Sequence, residues 1–244
     1  MGTGVGIRLR DSILAKARDL GATLAGIASV DALRRSSHAI ETPYADDYGR
    51  VEWPAEAQSV LVLGLSHPPS EPGLDWWSDI PGKTPGNYRL IQISASLKEW
   101  LGRELDIGAR PLPYRLDQGG IPLKDSAVLA GLGAMGKSNL VITPEYGPRI
   151  RWRGLFLNRE LEATAPIDFD PCDGCDMPCR RACPQDAFRT GSFSRDLCHH
   201  QMFIDLEQAV ILDEWIDGFS GREVVKFCRA CELACPVAGE EQRR

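Results

Sequence analysis

Long apolar runs and an excess of positive charge are both missing from this chain of 244 residues. No stretch reaches the roughly 18 apolar residues of a membrane-spanning helix, so we expect no membrane partner. The net charge of −6 argues against a generic nucleic-acid-binding protein, because phosphate contacts need a basic excess. Met1 to Arg10 has neither the apolar core of a signal peptide nor a twin-arginine leader, and this favours a cytoplasmic protein.

Cysteine is absent from residues 1–171, and all eight cysteines lie between Cys172 and Cys235. Disulfides are rare in a reducing cytosol, where clustered cysteines more often bind metal or carry out redox chemistry. The composition changes just before this region. We therefore predict a first domain at 1–164 and a cysteine-rich second domain at 165–244.

The first domain alternates helical and strand patterns, which is typical of an α/β fold. Helical spacing predicts helices at 7–20, 88–105 and 121–130, and apolar runs predict strands at 24–28, 59–65, 110–116 and 140–143. A further strand at 150–157 is predicted to pair with 140–143 as a hairpin. The stretch 68–86, rich in proline, glycine and tryptophan, predicts a loop. Its Trp76 and Trp77 either cover a ligand site or form a dimer surface.

The cysteines form two related runs separated by a single cysteine. The first run is C-x2-C-x3-C-x3-C-P and begins at Cys172, the second is C-x2-C-x3-C-P and begins at Cys228, and Cys198 lies between them. Eight thiolates suffice for two [4Fe–4S] clusters, and in bacterial two-cluster ferredoxins the cysteine before proline ligates the other run's cluster. The predicted ligands are Cys172, Cys175, Cys179 and Cys235 for one cluster (the first thiol set), and Cys183, Cys198, Cys228 and Cys231 for the other (the second thiol set).

Two zinc sites of four cysteines each are the main alternative for the same thiols. Zinc sites usually consist of separated C-x2-C pairs without the C-P endings, so the pattern favours iron–sulfur clusters. The spacing from Cys175 to Cys179 has one residue more than usual, which predicts a wider loop shaped by Pro178. His199 and His200 are not needed as ligands, because eight cysteines already suffice.

A glycine-rich segment, G-L-G-A-M-G-K-S, begins at Gly131 and matches both the P-loop and the G-x-G-x-x-G patterns. Both nucleotide-binding motifs require a strand before the loop and a helix after it. Here the predicted order is reversed, with a helix before the glycines and a strand after them. The remaining interpretations are a tight turn that lets the backbone approach a large flat ligand, and a simple helix C-cap.

Three features of the chain together resemble the epoxyqueuosine reductase family. They are the G-L-G-x-x-G-K block at Gly131, the I-T-P-E-Y-G block from Ile142 to Gly147, and the cysteine module with its lone Cys198. That family is similar to the corrinoid-dependent reductive dehalogenases. The resemblance implies an α+β protein, in which a nitroreductase-like α/β domain holds base-off cobalamin and a ferredoxin-like module with two [4Fe–4S] clusters reduces its cobalt.

The resemblance also implies roles for single residues. Asp117 lies fourteen positions before the first glycine of the block, where the family has a proton donor, and reductive cleavage by low-valent cobalt needs such a proton. A turn aspartate is the alternative, because Asp-Gln-Gly-Gly favours a turn. The implied corrinoid contacts are Gly131, Gly133, Gly136, Lys137, Tyr146 and Gly147.

The sequence therefore predicts an iron–sulfur, cobalamin-dependent reductase that accepts electrons from a ferredoxin or flavodoxin and acts on a small or nucleoside-type substrate. Epoxyqueuosine reductases are longer and many carry a helical-repeat tail, so we expect a short form. Because the chain is acidic, tRNA is an alternative substrate and not the leading one. A corrinoid reductase or activator, and a plain ferredoxin-type electron-transfer protein, are further alternatives.

Overall fold

The structure, a computed structural model, describes residues 3–36, 51–189 and 192–237. The protein is mixed α/β and divides into two compact units. Unit 1 contains Met1–Leu65, Leu90–Gly133 and Trp152–Asp168, and unit 2 contains Ser66–Arg89, Ala134–Arg151 and Phe169–Arg244. These units differ from contiguous domains at 1–164 and 165–244, because two internal segments join the cysteine-rich part.

The helices and strands alternate along most of the chain. The helices are α1 (Thr3–Asp19), α2 (Val30–Arg35), α3 (Pro85–Leu105), α4 (Leu123–Leu129), α5 (Pro178–Arg181), α6 (Arg195–Leu206) and α7 (Ala230–Leu233). The strands are β1 (Leu24–Ser29), β2 (Ser59–Ser66), β3 (Ala109–Pro111), β4 (Ala134–Met135), β5 (Val141–Ile142), β6 (Ile150–Leu157), β7 (Val210–Leu212) and β8 (Arg222–Val224). Short 3-10 turns lie at Pro72–Asp75, Leu116–Gln118 and Ile216–Gly218.

A four-stranded sheet with the order β1-β2-β6-β3 forms the centre of the fold. Strand β1 is antiparallel to β2, with Leu24 opposite Gly64, and β3 is antiparallel to β6. Strands β2 and β6 are buried along nearly their whole length. For β2 the continuous apolar run predicts this burial. The apolar faces of α1 and α3 pack on this sheet in the core of unit 1.

The local signals explain where the main helices begin and end. The hydroxyl of Thr84 accepts a hydrogen bond from the backbone N–H of Asn87 at 3.2 Å, and Pro85 occupies the first turn of α3. After α1, Gly21 adopts a φ of +105° at the predicted helix stop. The predicted helices at 7–20 and 88–105 are thus confirmed with slightly earlier starts.

Two predictions about strands were wrong. Strand β6 does not form a hairpin with β5, because β5 pairs with β4, with Ala134 opposite Ile142, while β6 lies within the central sheet. Seven of the eight residues of β6 are buried, and this burial needs cover on both faces, which a two-residue strand does not provide. The predicted strand 110–116 shortens to β3, because Pro111 and Pro113 have no N–H to donate to a ladder.

Within the described part of the chain, no helix is both long enough and apolar enough to cross a bilayer.

Candidate iron–sulfur site

All eight thiols belong to unit 2, and none forms a disulfide. Two short helices that pack against each other carry Cys179 and Cys231, and α6 carries Cys198. Met177 takes a left-handed backbone conformation with a φ of 56°, and Pro178 then starts α5. This bend accommodates the extra residue in the first cysteine run, in agreement with the predicted loop.

The thiols of the first set lie close enough to change one another's pKa. Burial raises the pKa of Cys179, and the neighbouring Cys172 and Cys175 raise it further. Burial also raises the pKa of Cys235, where Cys179 and Cys172 act in the same direction. The four thiols are thus gathered although Cys235 is more than fifty residues from the other three.

The second set shows the same internal coupling. The pKa of Cys231 is raised to about 12, first by burial, then by the charge of Glu232, and then by Cys228, Cys198 and Cys183. The pKa of Cys228 is raised by partial desolvation of its sulfur, although the residue is exposed, and by Asp205 and Cys183. Four thiols thus have a raised pKa, and every other thiol that contributes to one of these shifts belongs to the same predicted set.

Backbone amides point at sulfur atoms in both sets. The donors are Lys137 to Cys172 at 3.3 Å, Met177 to Cys175 at 3.4 Å, Ala187 to Cys183 at 3.3 Å and Ala230 to Cys228 at 3.5 Å. An N–H donor stabilises the thiolate form of a cysteine. These amides are therefore placed to favour the charged ligand that a metal requires.

The described residues contain no three His, Cys, Asp or Glu side chains that converge closely enough to share one metal ion. The thiols of each set are nevertheless close enough to influence one another's pKa.

A buried network of ionic and polar side chains lies beside the second set. The Nδ1–H of His67 donates to Asp75 Oδ1 at 2.8 Å, and burial lowers the pKa of His67, so the ring is neutral. Although burial raises the pKa of Asp75, Arg151, His67 and Arg229 together lower it to about 2. Glu232, next to Cys231 in the chain, pairs with Arg151 at 2.8 Å and with Arg229.

Two more buried charged residues contact the backbone of the cysteines. Arg149 is 1% exposed, and its Nη2 donates to the carbonyl oxygen of Cys235 at 3.0 Å. Asp205 is 9% exposed, and it accepts from the N–H of Cys228 at 2.7 Å and from Gln201 Nε2 at 2.8 Å. Sequence reasoning missed both, because an isolated Arg or Asp outside a motif gives no signal of burial.

The glycine-rich segment has the predicted order of elements. Helix α4 ends at Leu129, Gly131 follows with a φ of +68°, and β4 comes next. A β-carbon on Gly131 would overlap the carbonyl oxygen of Ala165, so its own backbone contacts already require this glycine. The segment is therefore not a P-loop, and the nucleotide-binding interpretation is excluded.

The residues predicted to contact a corrinoid have different surroundings. A β-carbon on Gly136 would overlap the side chain of Ile142, Gly133 is buried, the Lys137 side chain is exposed and Tyr146 is half-buried. Gly147 packs against a carbonyl group close to Cys235 in the chain. For three of these glycines the absent side chain is explained by protein packing, so their corrinoid contacts stay predictions.

Asp117 lies in the one-turn 3-10 helix Leu116–Gln118, and its side chain lies outside the described residues. The turn ends at Gly119, which has a φ of +88° and donates its N–H to Leu116. The backbone thus has the turn that the sequence favours. The role of Asp117 as a proton donor stays a prediction.

The segment predicted as a loop is bonded to the residue that follows strand β8. The N–H of Trp77 donates to the carbonyl oxygen of Val225 at 2.9 Å, and the N–H of Val225 returns a bond at 2.8 Å. The ammonium of Lys226 lies 4.4 Å from the ring centroid of Trp76. Both tryptophans are half-buried within unit 2.

Comparison with known proteins gives the family context of this site. The chain is 28% identical to epoxyqueuosine reductase from Bacillus subtilis over 199 residues, which cover 75% of this chain and 48% of that protein. The chain is thus similar to an epoxyqueuosine reductase over most of its length. Over 117 residues it is also 38% identical to tetrachloroethene reductive dehalogenase from Sulfurospirillum multivorans, covering 45% of this chain and 22% of the dehalogenase. No family model matches the chain.

Solved structures show the same relationship at the level of the fold. An epoxyqueuosine reductase crystallised with a modified tRNA stem loop matches 97% of this chain and 67% of its own, with a TM-score of 0.65 and 19% identity. A reductive dehalogenase matches 72% of this chain and 25% of its own, with a TM-score of 0.51 and 19% identity. The likeness shows a shared mixed α/β fold, and the predicted resemblance to epoxyqueuosine reductases is confirmed.

The two curated relatives are named as reductases. It spans about half the length of the epoxyqueuosine reductase and less than a quarter of the dehalogenase.

Proposed function

We propose that unit 2 holds two [4Fe–4S] clusters and passes single electrons to a reductive reaction. The observation that carries this proposal is the division of the eight thiols into two groups of four, each with its own electrostatic coupling. Four thiolates per cluster is the number that a [4Fe–4S] core requires. When bound, such clusters take up and release one electron each at low potential.

The fold brings these thiols together but does not lower the pKa values of Cys231 and Cys235 below that of an ordinary cysteine. Burial keeps Cys231 and Cys235 protonated at neutral pH in the metal-free protein, so cluster assembly must release protons. Amide donors to sulfur and the guanidinium of Arg149 then stabilise the thiolates that form. Cluster binding is therefore coupled to pH and contributes to folding stability.

Anaerobic reconstitution with iron and sulfide tests the two clusters. We expect about eight irons and eight sulfides per chain, with an electron paramagnetic resonance signal after reduction. Cys172→Ser and Cys231→Ser should each reduce the iron content to about four, because each removes a ligand of a different set. His199→Ala, beside Cys198, is the matched control and should keep the full content. Folded protein that takes up only zinc, or no metal, would overturn the proposal.

We propose further that the reaction uses a corrinoid. The dehalogenase with the shared fold is described as acting by B12-dependent dehalogenation, and this chain carries the glycine-rich and I-T-P-E-Y-G blocks on which the resemblance depends. The residues that would hold it are Gly131, Gly133, Gly136, Lys137, Tyr146 and Gly147. Asp117 would supply the proton that completes a reductive bond cleavage.

Addition of cobalamin to the cluster-loaded protein tests this second step. We expect retained cobalt after gel filtration and a changed visible spectrum. Asp117→Asn should keep both signals and lose substrate reduction, whereas an enzyme that only reduces the corrinoid would be unaffected by this change. If cluster-loaded protein retained no cobalt, the plain electron-transfer alternative would replace the corrinoid proposal.

Epoxyqueuosine in tRNA is the second candidate substrate. It is favoured by the fold shared with a reductase that was crystallised with an epoxyqueuosine-modified tRNA stem loop. The net charge of −6 speaks against it, because tRNA binding gains most from basic surfaces. Complementation of a queuosine-deficient strain distinguishes the tRNA substrate from a small-molecule substrate. Failure to complement with cluster-loaded, folded protein would exclude tRNA.

A further inference from the structure

The two thiol sets lie in electrostatically different surroundings within unit 2. Beside the first set, the guanidinium of Arg149 donates to the carbonyl oxygens of Cys235 at 3.0 Å and of Leu233 and Val237 at 3.4 Å. Its side chain is fully buried, and its charge lowers the pKa of Cys235 against the effect of burial. A fixed positive charge therefore acts on the first set from inside the protein.

A carboxylate occupies the equivalent place beside the second set. Asp205 accepts the N–H of Cys228 at 2.7 Å and raises the pKa of that thiol. The second oxygen of Asp205 accepts an amide hydrogen of Gln201, a neutral donor. A negative charge therefore acts on the second set over a similarly short distance.

The other ionic groups near the second set largely cancel one another. Glu232 and Asp75 are both paired with Arg151 and Arg229, so this network contains two positive and two negative charges. The network therefore carries no net charge and does not offset the charge of Asp205.

Amide hydrogen bonds and solvent do not reverse this difference. Each set receives two of the amide-to-sulfur hydrogen bonds described above. In the first set, further backbone hydrogen bonds from Arg180 and Val237 lower the pKa of Cys179 and Cys235. Cys228 is exposed, and water there stabilises added negative charge on the second set. That contact concerns one thiol, whereas buried charges such as Arg149 are only weakly screened.

We propose that Arg149 and Asp205 separate the reduction potentials of the two clusters, so that the cluster on the first thiol set is reduced first and delivers electrons onward. The inference deepens the proposed function and rests on it. Reduction adds one negative charge to a cluster, so a nearby cation favours it and a nearby anion opposes it.

With both clusters bound, the one held by the second thiol set would lose one electron and the one held by the first thiol set would gain it. A one-electron donor such as a ferredoxin or flavodoxin would then reduce the cluster on the second thiol set again. No proton or bond changes in this step. The exposed Cys228 places the second set where an external donor can reach it, which agrees with this direction.

A redox titration of the fully loaded protein, followed by electron paramagnetic resonance, tests the proposal. The wild-type protein should be reduced in two separate one-electron steps. The upper step is the one at the higher potential, assigned to the cluster on the first thiol set. Arg149→Gln should lower its reduction potential by about 59 mV, which is a tenfold change in the equilibrium constant for one electron. The lower step belongs to the cluster on the second thiol set, and Asp205→Asn should raise its reduction potential by a similar amount. Each variant should therefore reduce the difference between the two potentials.

Two controls separate charge from structure. Arg149→Lys keeps the positive charge, so the upper step should stay at its wild-type potential. Arg181→Gln removes an exposed arginine, 62% accessible and paired with the exposed Asp176, and should move neither step.

Some outcomes would overturn the inference. One unresolved step in the wild-type protein, or a shift of the lower step in Arg149→Gln, would do so. If Arg149→Gln does not fold, the wild-type titration and Asp205→Asn decide in the same way. The iron content of each sample separates the two claims, since protein without about eight irons contradicts the proposed function, whereas loaded protein with the wrong order contradicts only this inference.

Discussion

Gly147 lies so close to Val237 that any β-carbon on the glycine would overlap the carbonyl oxygen of the valine. Gly147 also has a φ of +58°, a left-handed conformation that other residues adopt at a cost of about 1 kcal/mol or more. The contact fixes the chain immediately after Cys235. Arg149 reinforces it, because its Nη1 donates to the same carbonyl group at 3.4 Å.

We therefore expect Gly147→Ala to displace Cys235 and to impair loading of the first thiol set. The free energy of unfolding should fall by about 1–3 kcal/mol, because the new methyl group adds steric overlap to backbone strain. Iron analysis and denaturant unfolding measure the two effects. Gly102→Ala, in α3 with no atom within 4 Å of the new carbon, is the control and should increase stability slightly. Equal iron content in both variants would contradict the prediction.

Thr164 joins strand β1 to the end of α4 within unit 1. Its hydroxyl accepts the N–H of Ile27 at 3.1 Å and donates to the carbonyl group of Ala130. Thr164→Val keeps the shape but leaves a buried N–H without its acceptor, so we expect a loss of about 1–3 kcal/mol in denaturant unfolding. Thr164→Ser retains the hydroxyl and should lose much less. Similar losses in both variants would show that the methyl group, not the hydroxyl, matters.

Asp75 should make the metal-free protein sensitive to acid. Its pKa is about 2 in the folded state, against an ordinary value of 3.8. A carboxylate with a lowered pKa stabilises the fold above pH 3.8, and this contribution of about 2 kcal/mol is lost as the pH falls towards 2. Asp75→Asn should flatten the stability profile in this window, as measured by denaturant unfolding at each pH. Asp79→Asn, at an exposed position paired with Lys83, should keep the wild-type slope.

His67 should extend the acid sensitivity to higher pH. Burial lowers its pKa below 6.5, so the unfolded chain binds a proton that the folded protein does not. Stability should therefore begin to fall as the pH drops below about 6.5. His199→Asn is the control, because that side chain is only half-buried. If the wild-type protein were equally stable at pH 7 and pH 5, the buried neutral histidine would be contradicted.

Cys231 should show the opposite dependence at alkaline pH. Its pKa is about 12 in the folded protein, against an ordinary value of 9.0. A thiol with a raised pKa stabilises the fold fully below pH 9, and this contribution is lost as the pH rises towards 12. In the metal-free protein, alkylation at pH 9 should modify Cys231 more slowly than the exposed Cys228, as peptide mass spectrometry would measure. Faster modification of Cys231 would refute its burial.

The sequence predicted the parts of this structure that depend on local signals. Apolar periodicity placed α1, α3, β1 and β2, because their buried faces repeat over long segments. The C-P endings of the two runs predicted which thiols belong together, and the electrostatic coupling of Cys231 and Cys235 follows the same division. That the thiols hold clusters stays a prediction.

Long-range pairing is what the sequence did not reveal. The position of β6 between β2 and β3 depends on competition among strands, which a local pattern does not encode. Helix α6 and the β7–β8 hairpin also escaped prediction, because their apolar residues are few or exposed, as with Phe203 and Ile211. The buried roles of Arg149 and Asp205 arise only once segments separated by fifty residues or more come together.

Unit 2 draws on three stretches of the chain, Ser66–Arg89, Ala134–Arg151 and Phe169–Arg244, and this has a consequence for biosynthesis. Once Asp168 has been translated, every segment of unit 1 has been made. The first two segments of unit 2 still lack the third, Phe169–Arg244. Metal delivery must therefore follow translation of the last cysteine-bearing segment. A fragment that begins at residue 165 would lack His67, Asp75 and Arg149, and we expect it to aggregate when expressed alone.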